Sequence, residues 1–327
     1  MPSSSQPSGS KTTVTPTMIL QARKRLTGVV LITPLEPSPA LSEISGASIA
    51  VKWESLQRTG VFKLRGAYNK IASLPSETAA KGVLTASTGN HGLAVAYAAK
   101  QKGIPASIIV PKGASPLKVG KCEAYGANVI YHGTNYDEAA TYSRQLAEET
   151  GATLVHAYAD PLVIAGQGTI GYEVLERLPE AETFLVPIGG GGLISGIATW
   201  VKTVNPQIRV VGIQTTATRA FYENYHAGRL FRVPIESTIA DGLAGNTEQI
   251  NLDIARTFVD DVLLVEESEL IDAIQWTLKN EHRILEPAGV VGIAALLQRK
   301  IDFHSKERVV IIASGSNIDQ SLLSRIC

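Results

Sequence analysis

The sequence predicts an α/β chain of open, mostly parallel sheets with helices on both faces. Three observations point to it. Short β-rich runs alternate with helical patterns along nearly the whole length, which implies a doubly wound architecture. The strand runs, "ASIIV" and "RVVII" among them, are apolar throughout, as in strands covered on both faces of a parallel sheet. The chain has 327 residues, 44% hydrophobic and 18% charged, which is globular and long enough for two lobes.

The start, "MPSSSQPSGSKTTVTP", is rich in Ser, Thr and Pro and lacks the apolar segment of a secretory signal. Residues 1–15 read as a flexible tail. "SIAVKWE" (48–54) reads as a strand, and "FKLRGAYNKIASL" carries Phe62, Ala67, Ile71 and Leu74 at helical spacing. "GVLTAS" is a strand, and "NHGLAVAYAAKQKG" is a helix closed by Gly103. "ASIIVP", "NVIYH" and "TLVHA" are strands, with helices over 115–125 and 136–150 between them. "PLVIAGQGTIGYEVLERL" is a helix opened by Pro161. "TFLVPIGGGG" runs from a strand into a glycine loop, "LISGIATWVKTV" is a helix, and "IRVVGIQ" is a strand. Towards the end, "DVLLVEE" and "ERVVIIASGSN" are strands, while "SELIDAIQWTLKNEH" and "AGVVGIAALLQRK" are helices.

Charge and cysteine usage exclude several functions. Thirty basic residues balance thirty acidic ones, so the basic excess of a nucleic-acid binder is absent. No apolar run reaches bilayer-spanning length. Cys122 and Cys327 make neither a disulfide framework nor a zinc site, and a reducing, cytoplasmic setting is expected.

Four polar features fall at the carboxyl ends of strands, where open α/β sheets gather ligands. The first is Gly189 to Gly192 in "PIGGGGLISG". Bare backbone can approach a ligand closely there, and successive N–H groups at a helix start suit a phosphate. No Gly-Lys-Ser/Thr follows and the dinucleotide spacing is missed, so a single phosphate on a small cofactor fits. The second, "ASTGNHG", places Ser87, Thr88 and Gly89 ahead of a helix starting near Asn90. It suits a carboxylate, although the same residues serve as plain helix caps; His91 by itself is more often structural. The third is Ser314 and Asn317 in "IIASGSNID", and the fourth is Lys63 in "TGVFKLRGA". A phosphate site, a carboxylate site and a lysine together suggest pyridoxal phosphate and an amino acid, because a lysine can hold that cofactor as a Schiff base and later move protons.

These stretches, together with "YGANVI", "DPLVIAGQGTI", "IADGLAG" and "EPAG", resemble in order and spacing the fold-type II pyridoxal-phosphate enzymes. The similarity is greatest to the threonine/serine dehydratase and serine racemase group, and it runs from about Pro16 to the C-terminus. It implies a two-lobed, tryptophan synthase beta-like fold. The large cofactor-binding lobe would comprise 16–78 and 160–327, and a small mobile lobe 79–159. It implies that Lys63 is the Schiff-base lysine, that Phe62 packs on the cofactor ring and that Asn90 bonds the ring hydroxyl. Gly189, Gly190, Gly191, Gly192 and the Leu193 amide would cradle the phosphate, Ser314 would face the pyridine nitrogen, and Glu286 would lie near the ring. Ser87, Thr88, Gly89, Asn90 and His91 would hold the substrate carboxylate. A serine partner leaves the ring a weaker electron sink than an aspartate would, which favours quick loss of a β-leaving group. The implied activity is that of an ammonia-lyase. Freed Lys63 removes the α-proton of a β-hydroxy amino acid, and the hydroxyl leaves with the cofactor phosphate as acid. The enamine released then hydrolyses to a 2-oxo acid and ammonia. Threonine and serine are the default substrates, with 3-hydroxyaspartate, phenylserine or a hydroxyectoine-pathway intermediate as narrower choices. A racemase, a β-replacement enzyme or a catalytically silent binding module are the alternatives, and a homodimer is expected.

The sequence departs from the resemblance in places. Thr88 stands where racemases carry the serine that donates a proton from the opposite face. Gln214 and Ala220 stand where a divalent-cation site has two carboxylates, so no metal is expected. Ala157 and Tyr158 replace the usual proline and its neighbour. The sequence runs to Cys327, so the regulatory domain of biosynthetic threonine deaminases, and feedback inhibition through it, is not expected.

Overall fold

The structure, a computed structural model, describes residues 14–87, 89–114 and 116–326. The expected tail up to residue 13, Thr88 and Cys327 lie outside the described residues. Two sheets organise the chain. Strands β1 (Leu35–Pro37), β2 (Ser48–Trp53), β3 (Val83–Ala86), β4 (Ala106–Val110) and β5 (Asn128–Tyr131) come first. They are followed by β6 (Thr153–Leu154), β7 (Thr183–Pro187), β8 (Arg209–Thr215), β9 (Asp261–Val265) and β10 (Arg308–Ala313). The six-stranded sheet has the order β1-β2-β10-β7-β8-β9, and the four-stranded sheet the order β5-β4-β3-β6. Every pairing is parallel except β1 with β2.

Helices α1 (Pro16–Leu26), α2 (Pro39–Ser45), α3 (Lys63–Ala72), α4 (Ser76–Ala80) and α5 (Asn90–Lys102) begin the helical layers. They continue with α6 (Pro116–Ala124), α7 (Tyr136–Thr150), α8 (Pro161–Arg177), α9 (Gly192–Val204) and α10 (Ala220–Ala227). Helices α11 (Gln249–Phe258), α12 (Glu267–Glu281), α13 (Pro287–Leu297) and α14 (Gln320–Ile326) complete them.

The uniformly apolar strands have a direct cause. Alternate residues of β10 enter opposite cores: Val309 and Ile311 join α13, while Val310 and Ile312 join α8 and α9. A strand clamped between two helical layers has no solvent face to make polar.

Helix boundaries follow local chemistry. Pro161 opens α8, and the Asp160 carboxylate accepts from the Leu162 and Val163 N–H groups, which otherwise have no helical partner. Gly103 closes α5 in the left-handed conformation at φ 64°. Three differences from the sequence reading have physical reasons. Val14 is buried and the Thr15 hydroxyl caps α1, so both residues belong to the folded part rather than to the expected 1–15 tail. The stripe Ile19, Ala22, Leu26 that buries α1 is too sparse to stand out beside a polar leader. The strand expected over "TLVHA" ends at Leu154, because His156 Nδ1 accepts from the Tyr158 and Ala159 N–H groups and turns the chain.

The start of α3 is pinned by a buried ion network. Arg65 holds Glu54 with Nε and Nη2, each at 2.8 Å, and Glu173 with Nη1 at 2.6 Å and Nη2 at 2.9 Å. Lys52 reaches the same Glu173 at 2.6 Å. Two cations thus face two carboxylates, and each charge is paired where water is absent. Close approach of α8 adds to this: a Cβ on Gly166 would sit 2.6 Å from the Arg65 carbonyl, so only glycine fits.

Candidate active site

Lys63 is the first residue of α3. The chain reaches it from β2 through a 3-10 turn over Glu54–Leu56 and an isolated antiparallel bridge between Val61 and Gly315. The Phe62 N–H donates to the Ser314 carbonyl at 3.1 Å. The lysine and the loop after β10 are therefore tied together through backbone. Sequence reasoning placed Lys63 directly after a strand; the intervening turn is what aims it inward.

A cavity of about 330 Å³ receives it. Phe62, Ser87, Gly89, Asn90 and His91 line that cavity, as do the four glycines of 189–192, Leu193, Glu286 and Ser314. Thr88 aside, the expected residues therefore meet in one place. They come from two sheets rather than one edge: the Ser87 loop leaves β3, the glycine loop leaves β7, and Ser314 follows β10.

Burial pushes the Lys63 amine down to about 8, and the Glu286 charge opposes that shift only in part. Its Nζ donates to the Ala157 carbonyl at 3.1 Å. The Asn90 side-chain amide donates to both Glu286 oxygens at 2.9 Å and accepts from Asn317 at 2.9 Å. Asn317 also donates to the Thr59 carbonyl, so it links the Lys63 segment to the Ser87 loop. His91 is buried with Nε2 2.9 Å from the Val155 carbonyl, so Nε2 carries the proton. Burial, and then the Lys63 charge, hold His91 down at about 3; the ring is a neutral strut. His156 is likewise lowered, to about 4, chiefly by burial.

The glycine loop is built for backbone. The Ser195 N–H makes the first bond into α9, to the Gly191 carbonyl, which leaves the N–H groups ahead of it without helical partners. A Cβ on Gly190 would lie 2.4 to 2.5 Å from three Tyr158 ring atoms, and one on Gly191 2.3 Å from Phe221. Gly191 also sits at φ 96°. Tyr158 and Phe221 thus back the loop and leave its N–H groups for an anion.

Ser314 Oγ has a long 3.4 Å bond to the Ala288 carbonyl. A buried amine of lowered pKa, a backbone cradle and a hydroxyl at a third point fit an aldehyde, a phosphate and a pyridine nitrogen on one ring. Asn317, Tyr136 and Tyr158 also line the cavity. Asn317 is marked in the sequence by its place after an apolar strand, and Tyr158 by its departure from the expected proline segment. Tyr136 carries no sequence signal of its own.

At Gln214, one of the two positions where the resembling enzymes have a cation-binding carboxylate, the side chain is buried; its Oε1 accepts from the Tyr222 N–H at 3.0 Å and its Nε2 reaches the Gly189 carbonyl at 3.5 Å. Among the described residues no group of three or more His, Cys, Asp or Glu is placed to hold a metal, and no helix is long and apolar enough to cross a membrane.

Two open α/β sheets that bring a buried amine, a glycine loop and a polar loop at a strand end to one cavity fit an enzyme that works on amino acids through an aldehyde cofactor. The chain belongs to the pyridoxal-phosphate dependent enzyme family, matched over residues 26–315, and within it to the fold-type II threonine dehydratase and serine racemase group. It is 44% identical over 309 residues to an L-threonine ammonia-lyase of Thermotoga maritima, covering 94% of this chain and 77% of that one. It is 39% identical over 305 residues to a serine racemase of Arabidopsis thaliana, covering 92% of each. The structure of maize serine racemase matches with a TM-score of 0.91 at 36% identity, covering 95% of this chain and 96% of that one.

Proposed function

We propose that the protein is an ammonia-lyase that converts a β-hydroxy L-amino acid to a 2-oxo acid and ammonia by α,β-elimination, with threonine and serine as default substrates. The observation that carries this reading is the buried Lys63 amine, lowered to about 8, in one cavity with the glycine loop and the Ser87 to His91 loop. Pyridoxal phosphate, when bound, supplies the electron sink that makes the α-proton removable. The chain supplies the rest. The N–H groups of Gly189 to Leu193 would hold the phosphate, and Ser314 would meet the ring nitrogen. The loop after β3 orients the substrate carboxylate. Lys63, half neutral near pH 8, accepts the α-proton as general base and returns a proton later. His91 on the cavity wall is held down at about 3 and His156, packed on Tyr158, at about 4, so both are much weaker bases than Lys63 at about 8.

The 44% identity with an L-threonine ammonia-lyase against 39% with a serine racemase supports elimination over racemisation. The test is a panel of β-hydroxy amino acids given to the holoenzyme, with 2-oxo acid, ammonia and enantiomer composition all measured. Stoichiometric 2-oxo acid and ammonia are expected. Interconversion of serine enantiomers faster than 2-oxo acid release would replace this reading with the racemase one.

A further inference from the structure

The hydroxyls of two tyrosines on the cavity wall, Tyr158, whose ring backs the glycine loop, and Tyr136, have no task in the chemistry above. Tyr158 follows Ala157, whose carbonyl accepts from Lys63 Nζ at 3.1 Å, and both residues line the cavity. The ring is wedged between two loops: a Cβ on Gly190 would touch it at 2.4 Å, and one on Gly245 would lie 3.6 Å from Cε1. His156 packs edge-on against it with centroids 4.7 Å apart, and Asn251 donates to the Tyr158 carbonyl at 3.1 Å. Tyr136, the first residue of α7, reaches the same cavity from the side of the four-stranded sheet and is 48% exposed. Among the described residues, no group accepts a hydrogen bond from either phenol, although both line the pocket. Burial raises the pKa of both; Tyr136, then Glu248 and Asp137, add to it at Tyr158, and Arg144 opposes it at Tyr136 ahead of smaller increases from Asp137 and Glu248, so both remain O–H donors at neutral pH.

We propose that Tyr136 and Tyr158 form a subsite for the substrate side chain, and that it selects β-hydroxy amino acids bearing a further uncharged hydrogen-bonding group on Cγ. This rests on the ammonia-lyase reading for the reaction, not for the binding preference. A methyl group in that position takes water from two donors and returns nothing, whereas a hydroxyl or carbonyl accepts from them. Charge argues for a neutral group. Asp137 and Glu248 lie close enough to bias both phenols and oppose an anionic side chain. Lys63 on the cavity wall and Arg144, whose charge lowers the Tyr136 pKa, oppose a cationic one, while Arg232 is paired with Asp137 at the surface and offsets that carboxylate.

The experiment compares two non-reacting amino acids that differ only at Cγ. Homoserine carries a hydroxyl there and 2-aminobutanoate does not. Calorimetry on the holoenzyme should show homoserine binding about two- to tenfold tighter, the range of one net neutral hydrogen bond. Tyr158→Phe and Tyr136→Phe keep the packed rings, and each should bring the ratio towards one by weakening homoserine alone. With reacting substrates, kcat/KM for 4-hydroxythreonine over threonine should follow the same pattern. A ratio of one in the wild type, a ratio unchanged in both variants, or no binding of either compound overturns the proposal. Selective homoserine binding without 2-oxo acid from any β-hydroxy amino acid upholds the subsite and removes the lyase reading.

Discussion

Replacing Gly191 with alanine tests whether the anion cradle depends on bare backbone. Gly191 lies at φ 96°, and its added Cβ would come within 2.3 Å of Phe221 Cε2 and 3.0 Å of Asn251 Cβ. Ordinary contact begins at 3.4 Å, so the shortfall against Phe221 is about 1 Å in a side chain with no exposure. The left-handed conformation costs an L-residue about 1–2 kcal/mol, and overpacking a filled core about 1–3 kcal/mol. The total is about 2–5 kcal/mol. It is relieved only by moving the loop, and the N–H groups move with it. Urea unfolding of the apoprotein should show a midpoint lower by roughly 1 M or more. Cofactor affinity, followed by visible absorbance, should fall at least about tenfold, since 1.4 kcal/mol suffices for that. Gly120→Ala is the control, because nothing lies within 4 Å of its added Cβ. A Gly191→Ala protein with wild-type midpoint and wild-type cofactor affinity would refute the account of the loop.

Other outcomes follow from the same geometry. Lys63 captures an aldehyde only as the free amine, so capture by the apoprotein should accelerate as pH rises and level off above about 8. Stopped-flow absorbance across pH 6 to 10 reads this, Lys63→Ala should abolish it, and a midpoint near the ordinary 10.5 would contradict the burial argument. Arg65→Lys removes the planar fork that meets Glu54 and Glu173. Leaving buried carboxylates imperfectly paired should cost about 3 kcal/mol or more by chemical denaturation. With Gln214 already bonded to Tyr222 and turned to Gly189, exhaustive chelation should leave 2-oxo acid release unchanged; a strong loss restored by magnesium would reverse the no-metal expectation.

Much of the fold was legible because parallel sheets leave a strong imprint. "RVVII" reads as a doubly covered strand for the reason seen in β10, whose alternate residues serve two cores. Helices with proline or glycine at their ends, such as α8 and α5, were bounded correctly. Six of the described helices, the short α2, α4, α10 and α14 among them, have no assignment from sequence, and α1 and α11 show why. The first owes its place to a sparse stripe, and the second packs as Leu252, Ile254 and Ala255 among polar neighbours.

The sequence by itself determined the chemistry available: a lysine ahead of Leu-Arg-Gly, four glycines between strand and helix, and small polar residues at strand ends. These are local facts, set by backbone freedom and hydrogen-bonding groups along a few residues. Only the tertiary structure decided what those groups face. Lys63 owes its lowered pKa to burial, the Asn90 amide is committed to Glu286 and Asn317, and Tyr136 and Tyr158, 22 positions apart in sequence, line one cavity. Desolvation and long-range contact depend on which distant segments fold against a residue, and no window of sequence around it contains them.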